Sequence, residues 1–395
     1  MTDPDRYARI HTAITGMADR LWEISTALHA RPELAFAEHH AARVLSDELA
    51  SAGFAITTGV AGLPTAFTGT FGRGCAPRVA LLMEYDALPD LGHACGHNLI
   101  AAAGLGAAIA LARAVPTPDG TVLAIGTPAE ERGGGKVTEV EHGVFDGVDA
   151  ALMFHPAGRT WSAPMLTAFT EVTVAMHGRA AHPTGDPAGG INALDALVRA
   201  FTAIMAQNKH LPAGSNIHGI ITHGGTATNI IPDHAEARFA VRSSTSPGLT
   251  SLRETIAEYA NRAARAVGAT VEVRTAGPTY DHFRNNEPLA DRFAAHLDRA
   301  GIAADPPQPD VFLGSSDIGN VSTVVPTIHP LVAIADTAVS DHTAEFAAAA
   351  KSPRARNALL AAAEALACTA SDVLVDARFR DNVQHQFLAA QRAGR

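Results

Sequence analysis

Over the first 165 residues, short and nearly continuous apolar runs alternate with helical patterns. Arg78 to Pro89 (RVALLMEYDALP), Gly120 to Glu131 (GTVLAIGTPAEE) and Asp149 to Pro156 (DAALMFHP) read as strands buried on both faces. A helical pattern through Ala18 to His29 precedes them and ends at Arg31-Pro32, where proline disfavours helix in the residue before it. The alternation predicts an α/β fold, a mostly parallel sheet with helices on both faces.

The pattern changes after Thr167. TEVTVAMHG alternates as a half-exposed strand does, and INALDALVRAFTAIMAQ places Ile191, Leu194, Leu197, Val198, Phe201 and Met205 on one helical face. NIHGIITHGG and AEARFAVRSS read as two more strands, followed by a helix from about Leu249 to Val267 and a strand, ATVEVRT. The order βαββαβ is a two-layer unit of its own. Residues 168–278 are therefore read as a domain inserted into a larger one made of 1–167 and 279–395. In the last part, VVPTIHPLVAIAD is expected as one buried strand and ARNALLAAAEALACTASDVLV as a long closing helix.

Composition narrows the classes. At 395 residues the chain exceeds what one core usually supports, which agrees with two domains. With 47% hydrophobic residues, 18% charged and a net charge of -10, it reads as globular, and its basic residues form no cluster that would suit nucleic acid. The start, MTDPDRYARI, lacks the pattern of a secretory signal, and the uncharged run Leu99 to Ala112 is too short to span a bilayer. Cys75, Cys95 and Cys368 are odd in number and widely spaced, which argues against a disulfide framework. The expectation is a cytoplasmic protein with a small-molecule substrate, no nucleic acid and no membrane partner.

Chemistry collects at strand ends. Asp86 follows the first buried strand, Glu130-Glu131 the second and His155 the third, and the carboxyl ends of parallel strands are where sites form. HACGHN (His93 to Asn98) comes just after the first of these, and SDHTAEF (Ser340 to Phe346) brings His342 late in the chain. Imidazole, thiolate and carboxylate together suit zinc and similar divalent ions better than magnesium or calcium. Cys95 as a covalent nucleophile with a histidine base is chemically possible, but it leaves the glutamates and His155 without a role. GTPAEERGGGKV fails as a phosphate loop, because Glu130 stands where the first glycine should be and Val137 follows Lys136. Ser315, Ser316 and Asp317 lack the G-x-S-x-G turn of a serine hydrolase.

The combination of HACGHN, PAEE, FHP and a late DH resembles the M20 family of metal-dependent amidohydrolases and peptidases, in its cysteine-containing branch. LHARPELAF, MEYDALP, GRAAHP, TNIIPDHAEARFAVRS and GSSDIGNVS extend the resemblance over almost the whole chain. Asn98 and GSSDIGNVS point to the sub-branch of p-aminobenzoyl-glutamate hydrolase subunits and certain dipeptidases.

The resemblance implies that Cys95, His97, Glu131, His155 and His342 hold two divalent metal ions, with Cys95 as the bridge. Zinc is the chemical default, with manganese, cobalt or nickel as alternatives. It implies Glu130 as general base, and Asp86 as an aspartate near the metals with a lesser role than a ligand. The inserted domain resembles a lid that also forms a homodimer interface. His182 matches a histidine that stabilises the oxyanion in the neighbouring subunit's site. Asn229 and Arg242 match residues that hold the substrate, and Gly314, Ser315 and Ser316 loosely match a loop lining the leaving-group pocket. The implied reaction is hydrolysis of the amide of an N-acyl or N-aroyl amino acid, or of a small dipeptide. One rival is a simple N-acetyl-amino-acid deacylase. Another is a non-catalytic, metal-stabilised binding protein, which would have no reason to keep Glu130 beside a complete ligand set.

Overall fold

A computed structural model describes residues 4–115, 120–186, 188–306, 308 and 311–393. The chain divides into two compact units: Met1–Met165 with Arg284–Gln308 and Asn320–Arg395, and Leu166–Phe283 with Pro309–Gly319.

The larger unit is built on a six-stranded sheet. Its strands are β1 (Ala55–Thr58), β2 (Phe67–Gly72), β3 (Arg78–Glu84), β4 (Thr121–Thr127), β5 (Ala150–Leu152) and, beyond the short β6 (His155–Ala157), a strand at Thr327–Ile328. The order is β1-β2-β4-β3-β5 and then Thr327–Ile328. The pairings of β3 with β4 and β5, and of β5 with Thr327–Ile328, are parallel, whereas β1 with β2 and β2 with β4 are antiparallel. The sheet is thus parallel at its centre and antiparallel at one edge. Every residue of β4 is buried, as is β3 from Val79 on, so both faces of the central strands are covered.

The expected strand VVPTIHPLVAIAD is broken in two. Thr327–Ile328 joins the main sheet, while Leu331–Ala333 pairs in parallel with β6. Pro330 falls at the break, where a residue without an N–H cannot continue a ladder. Trp161, outside the named strands, bridges to Leu331 from the other side.

Helices α1 (Pro4–Ala30), α2 (His39–Ser51) and α3 (His97–Ala114) belong to the same unit, and α3 is buried along its length except at Arg113. Its alanines and glycines let it lie close to its neighbours. A Cβ on Gly104 would fall 2.4 Å from the Leu82 carbonyl oxygen, so the helix rests directly on β3. The helices at His97–Ala114 and Pro353–Val375 are long and apolar enough to cross a bilayer, and the fold uses both as buried core helices. Pro353–Val375 is not the last element, since Ala377–Ala393 forms a further helix.

The smaller unit contains the order expected for it: strand Ala168–His177, helix Ala193–Ala206, strands Asn216–His223 and His234–Ser243, helix Ser246–Val267 and strand Thr270–Tyr280. The strands form one antiparallel sheet with Ala168–His177 and His234–Ser243 in the middle and Asn216–His223 at an edge. One face carries the core, in which Val172, Val174, Phe239 and Val241 meet residues of the two helices. The helix Ala193–Ala206 buries Ala193, Ala196, Leu197, Ala200 and Ile204, and leaves Val198 46% exposed. Of the expected face, Leu197 is in the core and Leu194, Phe201 and Met205 pack against it, while Val198 turns outward and Ala193, Ala196 and Ala200 make the closest approach to the sheet.

Candidate metal centre

HACGHN occupies the turn into α3. Gly96, at φ 79°, caps the helix, and a Cβ there would sit 2.5 Å from Pro156 Cγ. Only glycine therefore lets the turn lie against the FHP segment, and this brings Cys95 Sγ to 3.3 Å from His155 Nε2. His155 Nδ1 meets the Pro156 carbonyl at 2.7 Å, which turns Nε2 toward the sulfur.

His97, the first residue of α3, is fixed from behind. Its Nδ1 lies 2.9 Å from the Asp86 carbonyl oxygen and 3.0 Å from Asp86 Oδ1, so Nδ1 carries a proton and Nε2 is left as the ligand-type atom of the ring. Nε2 lies 4.0 Å from both Glu130 Oε2 and Glu131 Oε1. Asp86 also accepts the Glu131 N–H at 2.9 Å through Oδ2. It is a positioning residue, joining a ligand-type imidazole to the loop that carries both glutamates.

His342 arrives by a strained turn. Its φ is 58°, a region disfavoured for a residue with a Cβ by ~1–2 kcal/mol. Its N–H donates to the Ala94 carbonyl at 2.9 Å, and its Nε2 lies 3.5 Å from Glu131 Oε2.

Two donor groups result. Ligand-type atoms of Cys95, His97 and His155 lie within 4.8 Å of one another, and so do those of Cys95, Glu131 and His342. Cys95 is common to both. The five ligands expected from the sequence are thus brought together, and they divide into two sets sharing the sulfur. Buried His97 Nε2 and Glu131 Oε1 have no hydrogen-bond partner among the described residues, a costly state for polar atoms and one that divalent ions would resolve. Burial pushes the Cys95 thiol well above its ordinary pKa, so without a cation it is a poor nucleophile, whereas a bound cation would hold it as thiolate. The donor set fits two borderline-soft divalent ions.

A third group was not foreseen in the sequence: Glu84, His97 and Glu130. Glu84 ends β3, fully buried, and its Oε2 accepts from Lys136 Nζ at 2.6 Å. Burial alone would raise the Glu84 carboxyl, but the Lys136 ammonium and nearby imidazoles outweigh it and hold the pKa below the ordinary range. Lys136 comes from the GGGKV stretch, whose only distinction in the sequence is a failed phosphate-loop pattern. A glutamate in a strand buried on both faces was the available signal, because such a charge needs a partner.

The remaining candidates belong to the smaller unit. His182 is exposed, and its Nδ1 accepts from the N–H groups of Thr184 and Gly185 at 3.1 and 3.0 Å. Those bonds select the tautomer with the proton on Nε2, a donor facing outward. Arg242 is half-buried with its guanidinium 4.8 Å from the Phe169 ring centroid, and burial lowers its pKa. No carboxylate among the described residues pairs with it. Asn229 is exposed, and Ser315 Oγ lies 2.8 Å from Thr167 Oγ1.

Residues 168–267 match a protein family described as the peptidase dimerisation domain of the M20 group. A mouse (Mus musculus) Xaa-Arg dipeptidase is 37% identical over 388 residues, with 94% of this chain and 89% of that protein covered. One of the p-aminobenzoyl-glutamate hydrolase subunits of Escherichia coli is 35% identical over 66% of this chain and 57% of that protein. Among solved structures, a dinuclear metal-binding M20 peptidase from Bacillus subtilis superposes with a TM-score of 0.70 at 23% identity, covering 91% of this chain and 99% of the other. The chain belongs to the M20 family of metal-dependent peptidases and amidohydrolases.

Proposed function

We propose that the chain is a two-metal hydrolase that cleaves the amide bond of a small dipeptide, or of an N-acyl or N-aroyl amino acid, and releases a free amino acid. The observation that carries this reading is the sharing of Cys95 by two donor groups, with Glu130 outside both and 4.0 Å from His97. Cys95, His97 and His155 would hold one ion, and Cys95, Glu131 and His342 the other. Zinc suits this set first, with manganese, cobalt or nickel as alternatives. When bound, such ions supply Lewis acidity, which acidifies water and polarises the amide carbonyl.

The chain's own groups do the rest. Glu130 accepts the proton of the attacking water and passes it to the leaving amine. His182, donating through Nε2–H, is suited to the oxyanion, and the family resemblance assigns it to a neighbouring subunit's site. Arg242, without an acidic partner among the described residues, offers a planar fork for a substrate carboxylate, with Asn229 helping to orient it. Ser315 is already engaged with Thr167, which supports a shaping role. The substrates named for the mouse and Escherichia coli relatives carry an amino-acid carboxylate beside the amide to be cut, and Arg242 suits that feature.

The same reading includes a homodimer formed through the smaller unit. Its edge strand Asn216–His223 exposes Ile220 and Ile221, and the helix Ala193–Ala206 exposes Val198. The three free cysteines support a cytoplasmic setting.

The test is a metal-reconstituted assay against a panel of dipeptides, N-aroyl amino acids and N-acetyl amino acids. Hydrolysis of dipeptides or N-aroyl amino acids in preference to N-acetyl ones is expected. Preference for N-acetyl substrates would favour the simple deacylase, and no hydrolysis with any of the four metals would remove the enzymatic reading.

A further inference from the structure

Glu38 stands at the start of α2, fully buried, and no cation among the described residues pairs with it. Its carboxylate is held by neutral donors alone. Oε1 accepts the N–H groups of Phe36 and Ala129, each at 2.9 Å, and Oε2 accepts the Thr65 hydroxyl at 2.8 Å. A buried carboxylate without a counter-charge is expensive, so its place in the fold calls for a return.

That return lies at Ala129, the residue before Glu130. Ala129 has φ 61°, in the left-handed region that a Cβ disfavours. Its N–H is taken by Glu38, and its carbonyl accepts the Gly134 N–H at 2.9 Å, closing the loop that holds Glu130 and Glu131. The far end of this loop is gripped by the same segment: the Phe36 ring lies on Gly133, where a Cβ would fall 2.2 Å from Phe36 Cε2. Phe36 and Glu38 therefore clamp the loop on both sides of the two glutamates. On the inner side, the Glu131 N–H is tied to Asp86.

We propose that Glu38 is a positioning residue for Glu130, and that it acts by holding Ala129 in its left-handed turn so that the two glutamates face the metal centre. The inference rests on the reading of Glu130 as general base. It separates from a merely structural role through Ala129, because glycine adopts the left-handed turn without help.

The experiment uses the full chain with four variants: Glu38→Ala, Ala129→Gly, the double variant and Glu130→Ala. Each is measured for kcat and KM, for thermal stability, and for the visible absorption spectrum after loading with cobalt, which reports the placement of Glu131. Glu38→Ala is expected to lower kcat by about 10²-fold with little change in KM, and to shift the cobalt spectrum. Adding Ala129→Gly is expected to recover most of kcat and to restore the spectrum. Two results would overturn the inference: a Glu38→Ala protein with wild-type kcat and spectrum, or a loss that Ala129→Gly does not relieve. Full activity in Glu130→Ala would instead remove the general base, and the cobalt spectra would still decide what Glu38 does.

Discussion

Lys136 Nζ lies 2.6 Å from Glu84 Oε2, and neither side chain is reached by solvent. Ligand-type atoms of Glu84, His97 and Glu130 lie within 4.8 Å of one another, so a strong fixed charge is neutralised close to the candidate metal centre. Removing one partner leaves the other charged and buried. Lys136→Met is expected to destabilise the protein by ~3–5 kcal/mol, and the double variant with Glu84→Gln to recover a large part of that loss. Urea unfolding midpoints measure both. A single variant as stable as the wild type would mean that the pair does not govern stability.

Asp372 gathers donors from across the larger unit. Arg6 and Tyr7 bond its Oδ1 at 2.7 and 2.6 Å, and Arg292 and His296 bond its Oδ2 at 2.7 and 2.9 Å. Burial would raise its pKa, but the hydrogen bonds from His296, Tyr7 and Arg292 outweigh this and depress it. A depressed carboxyl contributes stability that is present above its unfolded pKa of about 3.9 and is lost as pH falls through the lower folded value. Asp372→Asn should therefore cost ~3 kcal/mol near neutral pH and flatten the acid limb of the stability profile below about pH 4. Identical acid limbs in the two proteins would contradict the assignment.

Much of the candidate site was legible in the sequence because its ligands are residue types with few structural uses, placed at strand ends. No one of Cys95, Glu131, His155 and His342 marks a site alone; their combination points to one and the family resemblance assigns their roles, and the structure adds that they fall into two groups around the sulfur. Glu38 and Lys136 were not legible in this way. Their roles depend on partners 91 and 52 residues away, and nothing in PELAFAE or GGGKV announces those partners. The same limit explains the broken strand at Pro330, where an apolar run hides a change of pairing partner. It also explains Val198, whose side of the helix is settled by how closely alanines approach the sheet.

Arg242 has no acidic partner among the described residues and stacks on Phe169. Arg242→Ala is expected to reduce kcat/KM by about 10–100-fold for substrates with a free carboxylate, the loss of a charged hydrogen bond worth ~1.5–3 kcal/mol. Substrates whose carboxylate is amidated should be affected far less. Equal losses on the two substrate sets would assign Arg242 to structure.

Ile220 is 65% exposed on the edge strand Asn216–His223. A lysine on an exposed edge opposes strand pairing between copies, so Ile220→Lys should leave the fold intact and shift the protein toward a monomer in sedimentation velocity. Sedimentation unchanged from a wild-type dimer would place the interface elsewhere, and a monomeric wild type would remove the dimer altogether.

The central claim is that Glu130 moves the proton while its neighbour Glu131 holds metal. The most direct measurement is metal content and turnover, taken on the same preparation of Glu130→Ala. The account predicts two ions per chain, as in the wild type, with kcat lower by about 10²–10⁴-fold. Full turnover, or loss of metal in step with activity, would contradict it.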